Sequence, residues 1–351
     1  MTSPARQRSL RDHNVSLALQ VVATADRPVS RAQIAAATGV TRATASALVD
    51  ELLAGEFVRE VALPRRAHSG RPATGLTLAT GTVAALGVEI NVDYLAAMVV
   101  DLTGAVGFEE LLDVDNRDRP AEQVLGDARA LARRALRKAS GGVVGAAVAL
   151  PGLLHDDLLL APNLGWEAVD VKQALHLPVP TTLDNEANYA ALSEVNAELR
   201  SFVHISGEVG IGAGVVIDGA LFRGSRGWSG EIGHLTVVPD GPRCHCGARG
   251  CLEVYAGQDV LARSGPAAIA RPLGIALAGI LNILDIGTVL LGGVFAEHAE
   301  ALVPAIQTEL DTRVLWSALA PPQVLVAGNG RRAACLGAAA SVINGVLAFA
   351  S

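Results

Sequence analysis

Cysteine is scarce in this 351-residue chain, with four residues in all, too few for a disulfide framework to stand in for a core. Half the residues are hydrophobic, so the chain is long enough for a sizeable core and for more than one domain. An apolar leader is also missing: "MTSPARQRSLRDHN" is polar and Arg-bearing with no hydrophobic run behind it, and the expectation is a cytoplasmic protein. Two stretches come near to a membrane span without making one. "LGIALAGILNILDIGTVLLGG" from Leu273 carries Asn282 and breaks at Asp285-Ile286-Gly287, so it reads as a buried helix, a turn and a buried strand. "AACLGAAASVINGVLAFA" from Ala333 is rich in small residues and lacks flanking charges, and it reads as a core helix.

Positive charge is lacking in the chain as a whole, which carries a net −7, but not at its start. Residues 1–80 hold ten arginines against six acidic residues, a local +4 that leaves −11 for the rest. The asymmetry points to a small basic module that meets a polyanion, joined to a larger acidic body that does not. Within the module, "SRAQIAAATGVTRATASALVDELLAGEFVREV" from Ser30 opens on a capping box, Ser30 with Gln33, and Gly39 stops the first helix. Thr41 opens a second helix that sets Ala45, Leu48, Val49 and Leu52 on one face, and Gly55 ends it. With an apolar helix around Val15 to Val22, these form a helix-turn-helix. "FVREV", "ALPRRAHSGRPA" and "TGLTLA" then form a hairpin wing. The expectation is double-stranded operator DNA, read in the major groove by Thr41, Arg42, Thr44 and Ser46 and held at its phosphates or minor groove by Arg65, Arg66 and Arg71.

From about Thr82 strands and helices alternate, the pattern of an α/β body. "GAAVALPGLL" runs as a buried strand into a Pro-Gly turn, and "LDNEANYAALSEV", "VHISGEVGIGAGVVIDGALFRG" and "GEIGHLTVVPDGPRCHCGARGCLEVYAG" follow. Together these stretches resemble the ROK family of sugar kinases and derived repressors. The most specific match is Gly-Glu-x-Gly-His followed by Cys-x-Cys-Gly-x-x-Gly-Cys-x-Glu. The resemblance implies an N-terminal winged helix-turn-helix over residues 1–80. Residues 81–351 would then form a two-lobed actin/hexokinase-like, ribonuclease H-like domain that binds sugar and dimerises, with a tetramer left open.

Three of the four cysteines, Cys244, Cys246 and Cys251, fall in one loop bent by Gly247 and Gly250, and a fourth ligand would complete a tetrahedral zinc site. His234 and His245 compete for that place, and the resemblance implies His234. A closed Cys₃His sphere leaves no position for water, so one structural Zn²⁺ per chain is expected, against a disulfide or bare thiols. Cys335 reads as a small core residue.

The resemblance also places sugar hydroxyls on Asn185, Glu186, Glu231, His234 and Glu253, with Gly152 passing its backbone near the same ligand. Carboxylates and amides suit a polyhydroxylated effector, a monosaccharide or sugar phosphate. A kinase of the family carries Asp-x-Gly-Gly-Thr after its first strand for ATP, where this chain has Glu89-Ile90-Asn91-Val92-Asp93, with both glycines filled and a carboxylate in place of the hydroxyl. Glu186 stands where the kinases have an Asp base. The implied function is a sugar-responsive repressor without kinase activity, the alternative being an ATP-dependent sugar kinase. The direction of control and the identity of the sugar are open, and a protein partner could replace the sugar as signal. The short turns of "RAHSGRPATGLTLATG" provide a route from wing to body.

Overall fold

The computed structural model of the chain describes residues 4–62, 74–155, 157–208 and 210–348. The N-terminal helices are α1 (Pro4–Ala23), α2 (Arg31–Thr38) and α3 (Arg42–Ala54), followed by strands β1 (Val58–Ala62) and β2 (Thr74–Leu78). The capping box forms as expected: Ser30 Oγ accepts from the Gln33 amide while the Gln33 side chain accepts from the Ser30 amide. Gly39 closes α2 at φ +72°, a left-handed conformation that glycine adopts without strain. Ala45, Leu48, Val49 and Leu52 are all buried, and β1 pairs antiparallel with β2. The wing arginines Arg65, Arg66 and Arg71 lie outside the described residues.

The first lobe contains β3 (Val83–Ile90), β4 (Tyr94–Asp101), β5 (Val106–Asp113), α4 (Ala121–Lys138) and β6 (Gly142–Leu150). A three-stranded flap of β7 (Leu153–His155), β8 (Leu158–Ala161) and β9 (Trp166–Asp170) follows, then α5 (Val171–Leu175), β10 (Thr181–Asn185) and α6 (Glu186–Ser193). The second lobe contains β11 (Phe202–Gly207), β12 (Ile211–Ile217), β13 (Ala220–Leu221), α7 (Leu252–Ala256), α8 (Gln258–Ser264), α9 (Pro266–Leu284), β14 (Thr288–Gly292), α10 (Gly293–Glu297), α11 (Ala299–Arg313) and β15 (Gln323–Val326). Last comes α12 (Ala333–Ala348).

The two large sheets repeat one design. In the first the order is β5-β4-β3-β6-β10, in the second β13-β12-β11-β14-β15. In both, the first three strands in sequence form an antiparallel meander and the last two join parallel to the meander's first strand. The expected two-lobed, ribonuclease H-like body is therefore present as a duplicated sheet.

Both apolar stretches are core helices. α9 is long and apolar enough to cross a bilayer, yet Ile269, Leu273, Leu277 and Leu281 are buried in the second lobe's core. Asp285 caps it at φ +55°, and β14 follows as expected. α12 lies across the first-lobe sheet, where Gly87 of β3 leaves room for the Cys335 carbonyl. At its far end the Leu347 carbonyl accepts from Ser16 Oγ (3.0 Å) and Gln20 Nε2 (3.1 Å) of α1. Leu19 and Val22 of α1 thus share one buried cluster with Met98 and Val100 of β4 and with Ala339 and Ile343 of α12. The N-terminal module is packed onto the body as well as tethered to it.

Candidate functional site

A cleft of about 510 Å³ opens between the lobes, a size suited to a small ligand. It gathers Gly152, Asn185, Glu186, Glu231, His234 and Glu253, all six residues expected there. Asn185 is the N-cap of α6: its Oδ1 accepts from the Ala187 amide, and its Nδ2 donates to the Gly152 carbonyl (3.1 Å). That leaves the amide one hydrogen and one lone pair for a ligand. Gly152 holds φ +108°, and a Cβ there would strike the Leu160 carbonyl, so the position requires glycine for its fold. Its carbonyl is already engaged by Asn185.

Sequence reasoning missed Asp184. Buried at 5% exposure, it accepts from the Asn185 amide and from Asn188 Nδ2, and it pairs with Arg223. It thereby fixes the turn that presents Asn185 and Glu186. An acid two residues before Glu186 was visible in "LDNEANYAALSEV", but nothing local distinguished it from a surface carboxylate.

The cysteine loop orders the other wall. Glu231 precedes the 3₁₀ turn Ile232–His234, and Cys251 is the N-cap of α7, whose second residue is Glu253. His234, Cys244, Cys246 and Cys251 bring their ligand atoms within 4.8 Å of one another, and His245 is outside this cluster. Cys246 Sγ lies 3.7 Å from Cys251 Sγ, and Cys244 Sγ lies 3.8 Å from His234 Nδ1. An ion with Zn–S bonds of about 2.3 Å sets tetrahedral sulfurs about 3.8 Å apart, so the donors present fit such an ion. Burial and the two neighbouring thiols push Cys251 to about 12. Three crowded thiols cannot all ionise without a cation among them. Glu253 Oε2 accepts from the Ile211 amide (3.3 Å), which ties the loop side of the cleft to β12.

Beside the cleft, and sharing Asn91, Glu186, Ser206 and Glu208 with it, lies an interlobe chamber of about 40 Å³. The Glu89–Asp93 turn forms one side. Asn91 and Val92, which fill the two glycine positions, are buried. Asn91 Oδ1 accepts from the Asp93 amide, Nδ2 donates to Glu89 Oε1, and Tyr94 donates to the same Glu89 oxygen at 2.6 Å. The Asp93 amide and the Asn91 side chain are thus consumed within the turn. His204, on β11, and Glu208, in the turn just after it, are further residues that sequence reasoning missed, because this segment was read only as a glycine-rich hairpin. His204 is 2% exposed, both its ring nitrogens lack a hydrogen-bond partner, and burial lowers it to about 4, so the ring is neutral.

Desolvation raises three carboxyls here. Glu89 reaches about 7 by burial; Glu186 reaches about 8 by burial, with repulsion from Glu89, Glu208 and Glu231; Glu208 reaches about 7 by burial, with repulsion from Asp93. Glu231 is raised as well, first by desolvation at the cleft wall. Each carboxyl holds its proton more tightly folded than unfolded, where the ordinary value is 4.5. The folded state therefore loses stability as pH rises through 7 and 8. Calorimetry of the ligand-free, metal-saturated protein is expected to show Tm falling by about 3 °C or more between pH 6 and 8, with Glu208→Gln flattening the slope. A Tm that holds or rises would contradict this desolvation.

On the helix-turn-helix, the structure separates the four expected DNA residues. Arg42 and Thr44 are exposed on the first turn of α3, while Thr41 caps that helix by accepting from the Thr44 amide. Ser46 is half-buried, and its carbonyl accepts from Arg31.

The chain thus joins a helix-turn-helix head to a duplicated α/β body with an acidic cleft between its lobes. Residues 85–268 match the ROK family and residues 17–62 match the IclR helix-turn-helix domain. The first match spans just over half of the chain, and the chain belongs to the ROK family. The xylose repressor of Bacillus subtilis (strain 168) is 27% identical over 90% of this chain and 91% of that protein. A ROK family transcriptional regulator, a homolog of E. coli MLC protein, superposes with a TM-score of 0.80 at 22% identity, over 97% of this chain and 99% of that one. A ROK family glucokinase from Streptomyces griseus, in complex with glucose and AMPPNP, superposes with a TM-score of 0.64 at 24% identity, over 74% of this chain and 98% of that one. The kinase leaves about a quarter of this chain unmatched, whereas the regulator spans nearly all of it.

Proposed function

We propose that this chain is a sugar-responsive DNA-binding repressor in which the helix-turn-helix holds operator DNA and the interlobe cleft takes the sugar. The observation that carries the reading is the junction of the two: α12 runs from the interlobe chamber, which Ala333 and Ala334 line, to the hydrogen bonds with Ser16 and Gln20 of α1. A sugar that binds one lobe arrangement better than another thereby shifts the head, and one with equal affinity for both shifts nothing. The relatives named as repressors support the direction of control.

Asn185, Glu186, Glu231 and Glu253 serve as the hydroxyl-binding set. His234, Cys244, Cys246 and Cys251 hold one structural Zn²⁺, which when bound ties the 3₁₀ turn of Glu231 to the helix of Glu253. His234 serves the metal, so its ring supports the sugar wall from behind. Kinase activity is absent in this reading, because the Glu89–Asp93 turn uses its own donors and sets carboxylates where phosphates would approach. Two copies of the chain reading paired half-sites fit a homodimer.

The test is fluorescence anisotropy on DNA selected from a random pool, titrated with a panel of monosaccharides. One sugar is expected to release the DNA by at least about tenfold in affinity, and added ATP is expected to change nothing. ATP-dependent phosphorylation of that sugar would replace this reading with the kinase; failure to select any DNA would remove the repressor.

A further inference from the structure

We infer that Cys246 and Cys251 form a peroxide-oxidisable pair, whose disulfide displaces the proposed zinc and leaves the repressor on its DNA but unresponsive to sugar. The effect on sugar rests on the sugar-sensing reading, while the disulfide and the metal loss stand apart from it.

The four cysteines sit in unlike surroundings. Cys244 and Cys251 are buried at 4% and 0% exposure, and Cys335 is buried in α12, where desolvation pushes its thiol well above the usual value. Cys246 alone is exposed. It lines the cleft beside His245, so a small oxidant that enters the cleft reaches it. Next to it Gly247 holds φ +94° with no atom within 4 Å of where a Cβ would stand, which gives the tip of the loop room to shift. Arg243 and Arg249 bridge across the base of the same loop and flank the cysteines with two positive charges, a setting that favours the reactive thiolate form. A closed Cys₃His site keeps that form as well: three thiolates and a neutral imidazole around a divalent ion carry one net negative charge, so the exposed sulfur stays nucleophilic.

The second sulfur is already adjacent. Cys251 Sγ lies 3.7 Å from Cys246 Sγ, and a disulfide of about 2.05 Å requires the two to approach by about 1.7 Å. Cys251 is the N-cap of α7 and is anchored by the bond from the Leu252 amide to the Leu235 carbonyl, so the movement falls on Cys246. The oxidant is hydrogen peroxide. The Cys246 thiolate attacks one peroxide oxygen, an S–O bond forms, the O–O bond breaks and hydroxide leaves. The Cys251 thiolate then attacks the sulfenic sulfur, forming the S–S bond and expelling a second hydroxide. The two sulfurs together lose two electrons, and the peroxide gains them.

Two of the four donors are then consumed. Cys244 and His234 alone do not make the tetrahedral set that holds zinc, and the tie between the turn of Glu231 and the helix of Glu253 is lost. Residues 1–80 contain no cysteine, so DNA binding continues.

The test treats the full-length, zinc-loaded protein with hydrogen peroxide. Released zinc is followed with a colorimetric chelator, the thiols by alkylation and mass spectrometry, and binding of D-xylose, D-glucose and N-acetyl-D-glucosamine by calorimetry. One zinc is expected to leave for each disulfide formed, with the bridge mapped to Cys246 and Cys251 and with Cys244 and Cys335 alkylated as free thiols. A sugar bound before treatment is expected to bind at least about 100-fold more weakly after it, with affinity for selected DNA unchanged and with dithiothreitol plus zinc restoring the sugar site. Zinc that stays bound with all four thiols free, or metal loss through sulfinic acids without that bridge, overturns the proposal. A mapped bridge with sugar binding intact overturns the loss of response. Binding of none of the three sugars by the untreated protein overturns the sugar-sensing reading, and the bridge and the metal loss still decide the oxidation site.

Discussion

Replacing Cys246 with Ser is expected to drop zinc from one per chain to below about 0.1 and to weaken sugar binding at least about 100-fold, while DNA binding persists. Cys246 is exposed, so the change disturbs no packing of its own. What it removes is one corner of the only clamp of its kind among the described residues. Without the clamp, the loop keeps short backbone bonds such as Cys244 N–H to the Ala248 carbonyl and Leu252 N–H to the Leu235 carbonyl. Those bonds set the loop's local shape, but they leave Glu231 and Glu253 free to separate, because one precedes His234 and the other follows Cys251. A hydroxyl bound between two such carboxylates needs both within hydrogen-bond range at once. The DNA-binding head buries Ile34, Leu48 and Leu52 in a cluster that includes no residue of the cysteine loop, and it is expected to be untouched. Metal analysis, sugar calorimetry and DNA anisotropy on one preparation separate these effects. A zinc-free variant that still binds sugar would show that the loop does not support the cleft.

The helix-turn-helix and the cysteine loop were legible in the sequence because their signals are local. Ser30 and Gln33 lie three residues apart, and Cys244, Cys246 and Cys251 fall within eight. The same holds for the filled phosphate turn, where Asn91 and Val92 declare themselves by not being glycine. What stayed hidden depends on residues far apart in the chain. His204 and Glu208 join Glu89 only because β11 and β3 belong to different sheets that face one chamber, and no spacing in the chain encodes that. Asp184 gains its role from Arg223, 39 residues away. The wing-to-body strand was the route from DNA to cleft that the sequence offered, since those segments are adjacent in the chain. The α12 route appears only when residues 16 and 347 meet, 331 positions apart.

Gly337→Val is expected to destabilise the fold by about 1–3 kcal/mol and to leave a protein whose DNA no longer responds to sugar. Gly337 sits where α12 crosses α6, and a Cβ there would strike the Tyr189 carbonyl. α6 begins with Glu186 in the cleft, so this crossing is where the sugar site meets the strut. From it α12 runs ten residues on, from Gly337 to Leu347 against α1, about 15 Å at 1.5 Å per residue. Small residues line the contact, Ala190 on α6 and Ala334 and Ala338 on α12, so the helices approach closely and a shift of one must be followed by the other. Because Gly337→Val also lowers Tm, the decisive companion is Ser16→Ala with Gln20→Ala, which removes the two bonds to Leu347 and lies outside the cleft. That pair is expected to keep sugar affinity within about twofold while sugar-driven DNA release falls at least about tenfold. Full sugar-driven release in both variants would take the coupling away from α12.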